Sequence, residues 1–263
     1  MNPQLPDIAF FHALADAADR QTLPRFRTQS EINIGTKPKE GFRFDPVTDA
    51  DREAERAIRE LISARYPDHS IMGEEFGTTG SGPIQWILDP VDGTRPFLCG
   101  IPVWGTLIGL LSSGRATMGM MSQPFTTERF WADGKDAWRN GPQGEHRLAT
   151  RTGVSLDQAI VHTTSPEPIE RNPQIRFRKL AERTLMTRYG GECYAMAMLA
   201  AGQIDICVEY SLQPYDIAAM IPIVEQAGGK VTTLAGKHAE AGGHILACGC
   251  PRLHDEVLNV LNG

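Results

Sequence analysis

The sequence predicts a mixed fold, either α/β or α+β, in which helices pack on sheets. Three observations support this class. Helix-like and strand-like segments alternate along the chain, and no internal repeat or low-complexity segment interrupts them. The chain has 263 residues, of which 41% are apolar, which is enough to bury a substantial core. No linker composition divides the chain, so we expect two closely packed halves, residues 1–140 and 141–263, with a plausible seam in the loop 134–147.

The individual elements follow from hydrophobic periodicity and from helix-end signals. In the first half we expect helices at 7–20 and 49–64 and strands at 84–88, 103–111 and 117–123. In the second half we expect strands at 159–164, 204–210, 231–234 and 244–248, with helices at 174–185, 192–201 and 215–226. The last of these helices is expected to end at the pair Gly228 and Gly229.

The charge balance argues against a nucleic-acid partner. Acidic residues outnumber basic ones, 32 to 26, which gives a formal net charge of -6. Binding to a phosphate backbone requires a basic face, and no cluster of Lys and Arg supplies one.

Other sequence features point to a cytoplasmic protein without a membrane segment. The five cysteines are odd in number and form no C-x-x-C pair, so we expect neither a disulfide framework nor a zinc ribbon. The longest apolar run, Ile101 to Leu111, is shorter than the roughly 18 residues that a membrane span needs. The N-terminal segment lacks the basic region and the cleavage site of a signal peptide.

Two acidic segments in the first half have alternative interpretations. In DPVTDADREAE, residues 45–55, Thr48 and Asp51 have the spacing of a helix capping box, and capping alone could explain both residues. A calcium-binding EF-hand loop is disfavoured, because Ala54 occupies the position that requires glycine. In IMGEEFG, Glu74 and Glu75 are adjacent, a pattern that a solvated loop would also show.

Two further acidic segments place carboxylates beside structured turns. In WILDPVDGTRPF, residues 86–97, an apolar strand delivers Asp89 at its end and Asp92 follows after a proline. Gly93 then lets the backbone approach a ligand, and Thr94 opens a short helix whose N–H groups suit a phosphate. In PYDIAA, Asp216 lies in the first turn of a helix, where capping is the alternative role.

Carboxylates that converge in this way repel one another unless protons or cations occupy the site. All the candidate ligands are hard oxygens, so Mg²⁺ is the expected metal and Mn²⁺ a possible substitute. Two or three such ions could hold a phosphate ester and activate a water molecule for its hydrolysis.

The motifs DPVTDAD, GEE, WILDPVDGT and PYDIAA, in this order and spacing, resemble the inositol monophosphatase family of Mg²⁺-dependent, Li⁺-sensitive phosphatases. The resemblance covers about residues 7 to 260. It implies an α+β fold with αβαβα layers and a homodimer. It also implies that Asp51 and Thr94 orient the attacking water, and it implies the metal ligands Glu74, Asp89, Asp92, Asp216 and the carbonyl of Val91.

Within the family, the stretches DGTRPFLCGIPVWGTLIGLL and LQPYDIAAMIPIVEQAGG are most similar to the histidinol-phosphate phosphatases. Inositol phosphatases tend to carry a Trp before the last aspartate, where this chain has Tyr215. Gly93 and Thr94 are expected to contact the phosphate. Glu192 and Glu209 suit a cationic ligand, because a carboxylate forms a charge-assisted hydrogen bond with an amine. Glu192 could instead cap the helix at 192–201.

The sequence therefore predicts a Mg²⁺-dependent hydrolase that converts L-histidinol phosphate, a small-molecule phosphate ester, to L-histidinol and phosphate in histidine biosynthesis. Inositol 1-phosphate or another small phosphate monoester is the alternative substrate. A haloacid-dehalogenase-type phosphatase is disfavoured, because its D-x-D motif has a single residue between the two acids, unlike Asp89 and Asp92. A non-catalytic, metal-binding relative is the remaining alternative.

Overall fold

The structure is a computed structural model that describes residues 5–28, 35–36, 46–167 and 176–263, with the backbone alone at 35–36 and 46–47. Asp45, the first residue of the first acidic motif, lies outside the described residues, as does the beginning of the helix predicted at 174–185.

Helices occur in both halves of the described chain. Their bounds are α1 Ile8–Thr22, α2 Asp49–Arg65, α3 Thr94–Leu98, α4 Phe177–Ala181, α5 Glu192–Ala200, α6 Pro214–Ile217, α7 Met220–Gln226 and α8 Pro251–Asn262, with short 3₁₀ turns at Leu23–Arg25 and Leu156–Gln158. No helix among the described residues combines the length and apolarity that crossing a membrane requires.

The strands of the described residues form two large sheets and one two-stranded ribbon, β1 Gly35–Thr36 with β2 Pro46–Val47. The first sheet has the order β10-β9-β8-β7-β6-β5-β3-β4. Its strands are β3 Ser70–Gly73, β4 Gly77–Thr79, β5 Ile84–Asp92, β6 Gly105–Ser112, β7 Arg115–Gln123, β8 Glu128–Ala132, β9 Ala137–Asn140 and β10 His146–Arg147. The second sheet has the order β12-β11-β13-β15-β14. Its strands are β11 Ile160–Thr163, β12 Met186–Tyr189, β13 Ile206–Leu212, β14 Lys230–Thr233 and β15 Gly243–Cys248.

Three buried clusters arrange these elements as α-β-α-β-α layers. The first joins α1 and α2 to one face of the first sheet, where Phe11 and Ile58 pack near Trp86. The second lies between the two sheets and is formed largely by α5 and α7. The third packs α4 and α8 on the outer face of the second sheet, through residues such as Leu180 and Val257. The predicted layered α+β fold is therefore confirmed.

The central helical layer lies very close to the first sheet. A Cβ placed on Gly119 of β7 would lie 2.2 Å from the carbonyl oxygen of Ala219, so this contact requires glycine. Ala218 and Ala219 separate α6 from α7, and the close approach at Ala219 holds α6, which carries Asp216, over the first sheet.

Three predictions about elements were wrong. The helix predicted at 174–185 ends at Ala181, where α4 ends. The single helix predicted at 215–226 is divided into α6 and α7. Pro222 has no N–H and cannot donate to the carbonyl of Ala218, which permits this break. The loop predicted at 134–147 contains β9 and β10, short strands at the edge of the first sheet that carry too few residues for a clear alternation. The first sheet thus extends past residue 140, and the division into halves stays a prediction.

Candidate active site

The end of β5 forms an irregular turn that carries two of the predicted metal ligands. Asp89 pairs with Leu107 and Asp92 pairs with Gly105, so β5 has one more residue than β6 between these pairs. The bulge accommodates Pro90, whose carbonyl accepts a hydrogen bond of 2.7 Å from Thr106 Oγ1. It turns both carboxylates toward one cavity, which Asp89 and Asp92 line together.

Gly93 and Thr94 follow this turn and begin α3. Gly93 has a φ of 83°, in the left-handed region, and a Cβ there would lie 3.1 Å from Glu192 Cγ. The hydroxyl of Thr94 lies 3.2 Å from the carbonyl oxygen of Val91 and 3.5 Å from Asp51 Oδ1. The turn thus brings the first half of the chain into contact with Glu192 and with α2.

Asp51 both caps α2 and reaches the site. Its Oδ2 accepts hydrogen bonds from the backbone N of Thr48 at 2.9 Å and from Thr48 Oγ1 at 2.5 Å. The predicted capping box is therefore present, and Asp51 contacts Thr94 as well. The cavity surface does not include Asp51, which is buried and lies behind Thr94.

Asp216 reaches the same site from α6. Its Oδ2 accepts a 2.7 Å hydrogen bond from the backbone N of Gln213, so it too caps its helix. Asp89, Asp92 and Asp216 each present a carboxylate oxygen, and these atoms lie within 4.8 Å of one another. Glu74, the other predicted acid ligand, also lines the cavity.

The electrostatics of this cluster fit a divalent cation. Burial raises the pKa of Asp89 well above its usual range, and the charge of Glu74 adds to the shift. Burial also raises the pKa of Asp92 to about 7, with a further contribution from Glu192. Without a counter-ion the raised pKa values favour the protonated forms of Asp89 and Asp92. A hard cation such as Mg²⁺ or Mn²⁺ would instead stabilise the ionised carboxylates of this all-oxygen donor set.

Two further acids line the same cavity and come from the second half of the chain. The cavity has a volume of about 180 Å³, and Glu192 and Glu209 line it together with the acid cluster. Burial, followed by the charge of Glu209, raises the pKa of Glu192 to about 7. Glu192 begins α5 with a φ of 46°, a strained value for a residue with a side chain. Such strain is common at functional sites.

Glu209 is held in place by β11. Its carboxylate accepts hydrogen bonds of 3.0 and 3.2 Å from the backbone N of Thr164, and its Oε1 lies 3.5 Å from Nδ1 of the buried His162. The side chain of Thr164 also hydrogen-bonds Glu192. Thr164 therefore connects the two acids.

The structure thus places all the predicted site residues except Asp51 on one cavity, and Asp51 directly behind it. Sequence reasoning missed other lining residues, which are Arg95, Pro96, Thr164, Ser165, Cys193, Met196, Tyr210, Ser211 and Leu212. It also missed the backbone N–H of Cys193, which donates to Asp92 Oδ2 at 2.8 Å. Thr164 and Ser165 directly follow β11, and polar residues at a strand end could have been identified from the sequence as candidate site residues. A backbone N–H donor is common to almost every residue type, so the sequence gives no indication of it.

Comparisons with known proteins agree with this arrangement. Residues 6–261 match the model of the inositol monophosphatase family. A histidinol-phosphatase of Streptomyces coelicolor is 36% identical, with an alignment that covers 100% of this chain and 99% of the relative. A fructose-1,6-bisphosphatase/inositol-1-monophosphatase of Thermotoga maritima is 34% identical over 85% of each chain. The solved structure of an inositol monophosphatase from Zymomonas mobilis superimposes with a TM-score of 0.82, at 34% identity and over 96% of each chain. The chain therefore belongs to the inositol monophosphatase family and is a phosphatase.

Proposed function

We propose that this phosphatase hydrolyses L-histidinol phosphate to L-histidinol and inorganic phosphate with the help of Mg²⁺, as a step of histidine biosynthesis. One observation carries the proposal: the cluster of Asp89, Asp92 and Asp216 shares a cavity with the acid pair Glu192 and Glu209. The first set suits metal and phosphate, and the second suits a cationic alcohol. The similarity to the histidinol-phosphatase of Streptomyces coelicolor supports the same substrate.

The metal ligands in this proposal are Glu74, Asp89, Asp92, Asp216 and the carbonyl of Val91, for two or three Mg²⁺ ions with Mn²⁺ as a possible substitute. When bound, the ions offset the negative charge of phosphate and carboxylates and make water a better nucleophile.

The attack on phosphorus uses Thr94 and Asp51. The Thr94 hydroxyl can accept a proton from the attacking water as it donates its own toward Asp51 Oδ1, 3.5 Å away. The second oxygen of Asp51 accepts from Thr48, which fixes the rotation of the carboxylate. Gly93 and Thr94 would contact the phosphate, and the left-handed φ of 83° at Gly93 forms the turn that presents them to the cavity.

Substrate selection falls to Glu192 and Glu209. Histidinol phosphate carries an amine, and its imidazole can also be protonated. A positive amine beside Glu192 would lower the pKa of that carboxyl from about 7 and so favour the ionised form that binds it. A charge-assisted hydrogen bond of this kind contributes about 1.5 to 3 kcal/mol.

The alternative is a different small phosphate monoester, such as inositol 1-phosphate. The acid cluster and Thr94 would serve any such ester equally, and the relative from Thermotoga maritima carries the names of two other phosphatase activities. We also propose that the protein is a homodimer, which size-exclusion chromatography with light scattering would test. We propose that it is located in the cytoplasm, which cell fractionation would test.

A substrate panel tests the proposed function. Phosphate release with Mg²⁺ is measured for L-histidinol phosphate, inositol 1-phosphate, fructose 1,6-bisphosphate and a 3′-phosphonucleotide. We expect the highest kcat/KM for L-histidinol phosphate and loss of activity in excess EDTA. A ranking led by another ester would support the alternative, and full activity in EDTA would contradict metal dependence.

A further inference from the structure

A buried carboxylate in the middle of α2 holds the loop that carries Glu74. Glu55 is 0% exposed. Its Oε2 accepts a 2.7 Å hydrogen bond from the backbone N of Glu75, and its Oε1 accepts one of 3.2 Å from the backbone N of Phe76. A helix residue thus binds the two amides that directly follow Glu74.

Arg59, one turn further along α2, extends this attachment. Its Nε donates to Glu55 Oε1 at 2.7 Å, and its Nη1 donates to Thr79 Oγ1 at 3.0 Å. Its Nη2 also donates to the carbonyl of Gly77. Glu55 and Arg59 together therefore fasten both the turn after Glu74 and the strand β4 to one face of α2.

The residue before Glu74 in the chain also lies against the Glu55 carboxylate. A Cβ on Gly73 would lie 2.0 Å from Glu55 Oε1, so a side chain at this position would displace the carboxylate. The backbone N of Glu74 itself donates at 3.1 Å to the carbonyl of Leu88, the residue before Asp89 on β5. Glu74 is thereby held between α2 and β5.

We propose that Glu55 is a positioning residue for the metal centre, which sets the place of Glu74 as a ligand. The proposal rests on the metal-dependent function proposed above. Asp51 and Glu55 lie one turn apart on the same face of α2, so this helix positions the Asp51–Thr94 pair and Glu74 at once. Groups that orient metal ligands typically change metal affinity about 10- to 100-fold when replaced.

The chemistry of the contact makes Glu55→Gln an informative variant. Donors face the carboxylate from three groups, the two amides and Arg59 Nε. A glutamine of the same shape has one oxygen and one NH₂ group, so at least one donor would face another donor. We expect the loop to shift without a change in side-chain volume.

The experiment measures Mn²⁺ binding to the full-length, metal-free protein by electron paramagnetic resonance titration, together with the thermal midpoint in EDTA. The matched control is Glu53→Gln, which removes one partner of the exposed Glu53–Arg56 pair on the same helix. We expect Glu55→Gln to weaken Mn²⁺ binding about 10- to 100-fold and to raise the Mg²⁺ concentration for half-maximal rate, with kcat at saturating Mg²⁺ nearly kept. The control should bind Mn²⁺ like the wild type.

Mn²⁺ affinity of Glu55→Gln within twofold of the wild type would overturn the positioning role. If Glu55→Gln fails to fold in EDTA, Arg59→Lys decides, because an ammonium group keeps a cation near Glu55 but cannot also hold Thr79 and Gly77 as the guanidinium does. A smaller loss of Mn²⁺ affinity is expected for Arg59→Lys, and unchanged affinity would overturn the proposal. A wild type that binds no Mn²⁺ contradicts both this inference and the proposed function, whereas equal binding by wild type and Glu55→Gln contradicts the positioning role alone.

Discussion

The Thr94 hydroxyl lies 3.5 Å from Asp51 Oδ1, a contact that joins the bulged end of β5 to the first turn of α2. The two residues are 43 positions apart in the chain. Because the other oxygen of Asp51 is bonded to Thr48, the capping box of α2 also fixes the carboxylate that faces Thr94. Helix capping and the proposed proton transfer are thus two functions of one side chain.

This contact predicts different effects for two substitutions of Thr94. Thr94→Val keeps the shape but removes the hydroxyl, so kcat should fall by about 100-fold or more, in the range of general acid–base effects. Thr94→Ser retains the hydroxyl and should keep most of kcat. Steady-state kinetics at saturating Mg²⁺ measure both. A Thr94→Val enzyme with nearly normal kcat would remove Thr94 from the mechanism.

Removal of metal should make the protein's stability depend on pH. A carboxyl with a raised pKa takes up a proton on folding, so its stabilising contribution is complete below the unfolded pKa and is lost as pH rises through the folded pKa. For Asp92, whose pKa is raised from 3.8 to about 7, this stabilising contribution is lost over that interval of pH. The free energy of unfolding in EDTA should therefore fall between about pH 4 and pH 7, and Mg²⁺ should restore more stability at pH 7 than at pH 4.

Urea denaturation at several pH values, with EDTA or with Mg²⁺, measures this effect. Asp92→Asn is the control, because it removes one titrating group and should flatten the profile in EDTA. A wild-type profile in EDTA that is no steeper than that of Asp92→Asn would contradict the assignment.

The strained backbone of Glu192 predicts that this residue lowers the stability of the protein while its carboxylate contributes to substrate affinity. Its φ of 46° suits glycine better than a residue with a Cβ, so Glu192→Gly should be about 0.5 to 1 kcal/mol more stable than Glu192→Ala. Both variants lose the carboxylate and should raise KM for histidinol phosphate similarly. Denaturation and kinetics on the pair check this. A less stable Glu192→Gly would show that the backbone at this position is unstrained.

The sequence allowed the main acids of the site to be predicted, because each lies at an element end that local patterns reveal. The apolar run before Asp89 predicts a strand end, and the residues around Asp51 and Asp216 carry helix-start signals. These patterns fix where a side chain leaves an element, and the family motifs then indicate that the ends meet.

Contacts between distant segments could not be predicted in this way. Glu55 has the pattern of an ordinary charged helix residue, and its burial depends on the loop that folds over it. The hydrogen bond from Cys193 to Asp92 joins residues 101 positions apart through a backbone donor, which leaves no trace in residue identity. Such information lies in the packing of layers, and it appears only when the fold is known.

In the proposed function, the acid pair Glu192 and Glu209 recognises a cationic substrate beside the metal cluster. The most direct test compares kcat/KM for L-histidinol phosphate with that for its N-acetylated form, in which the amine is neutral. Wild type should prefer the free amine by about 10- to 100-fold, mainly through KM, and Glu192→Gln should lose most of that preference. Equal kcat/KM for the two esters in the wild type would contradict the account.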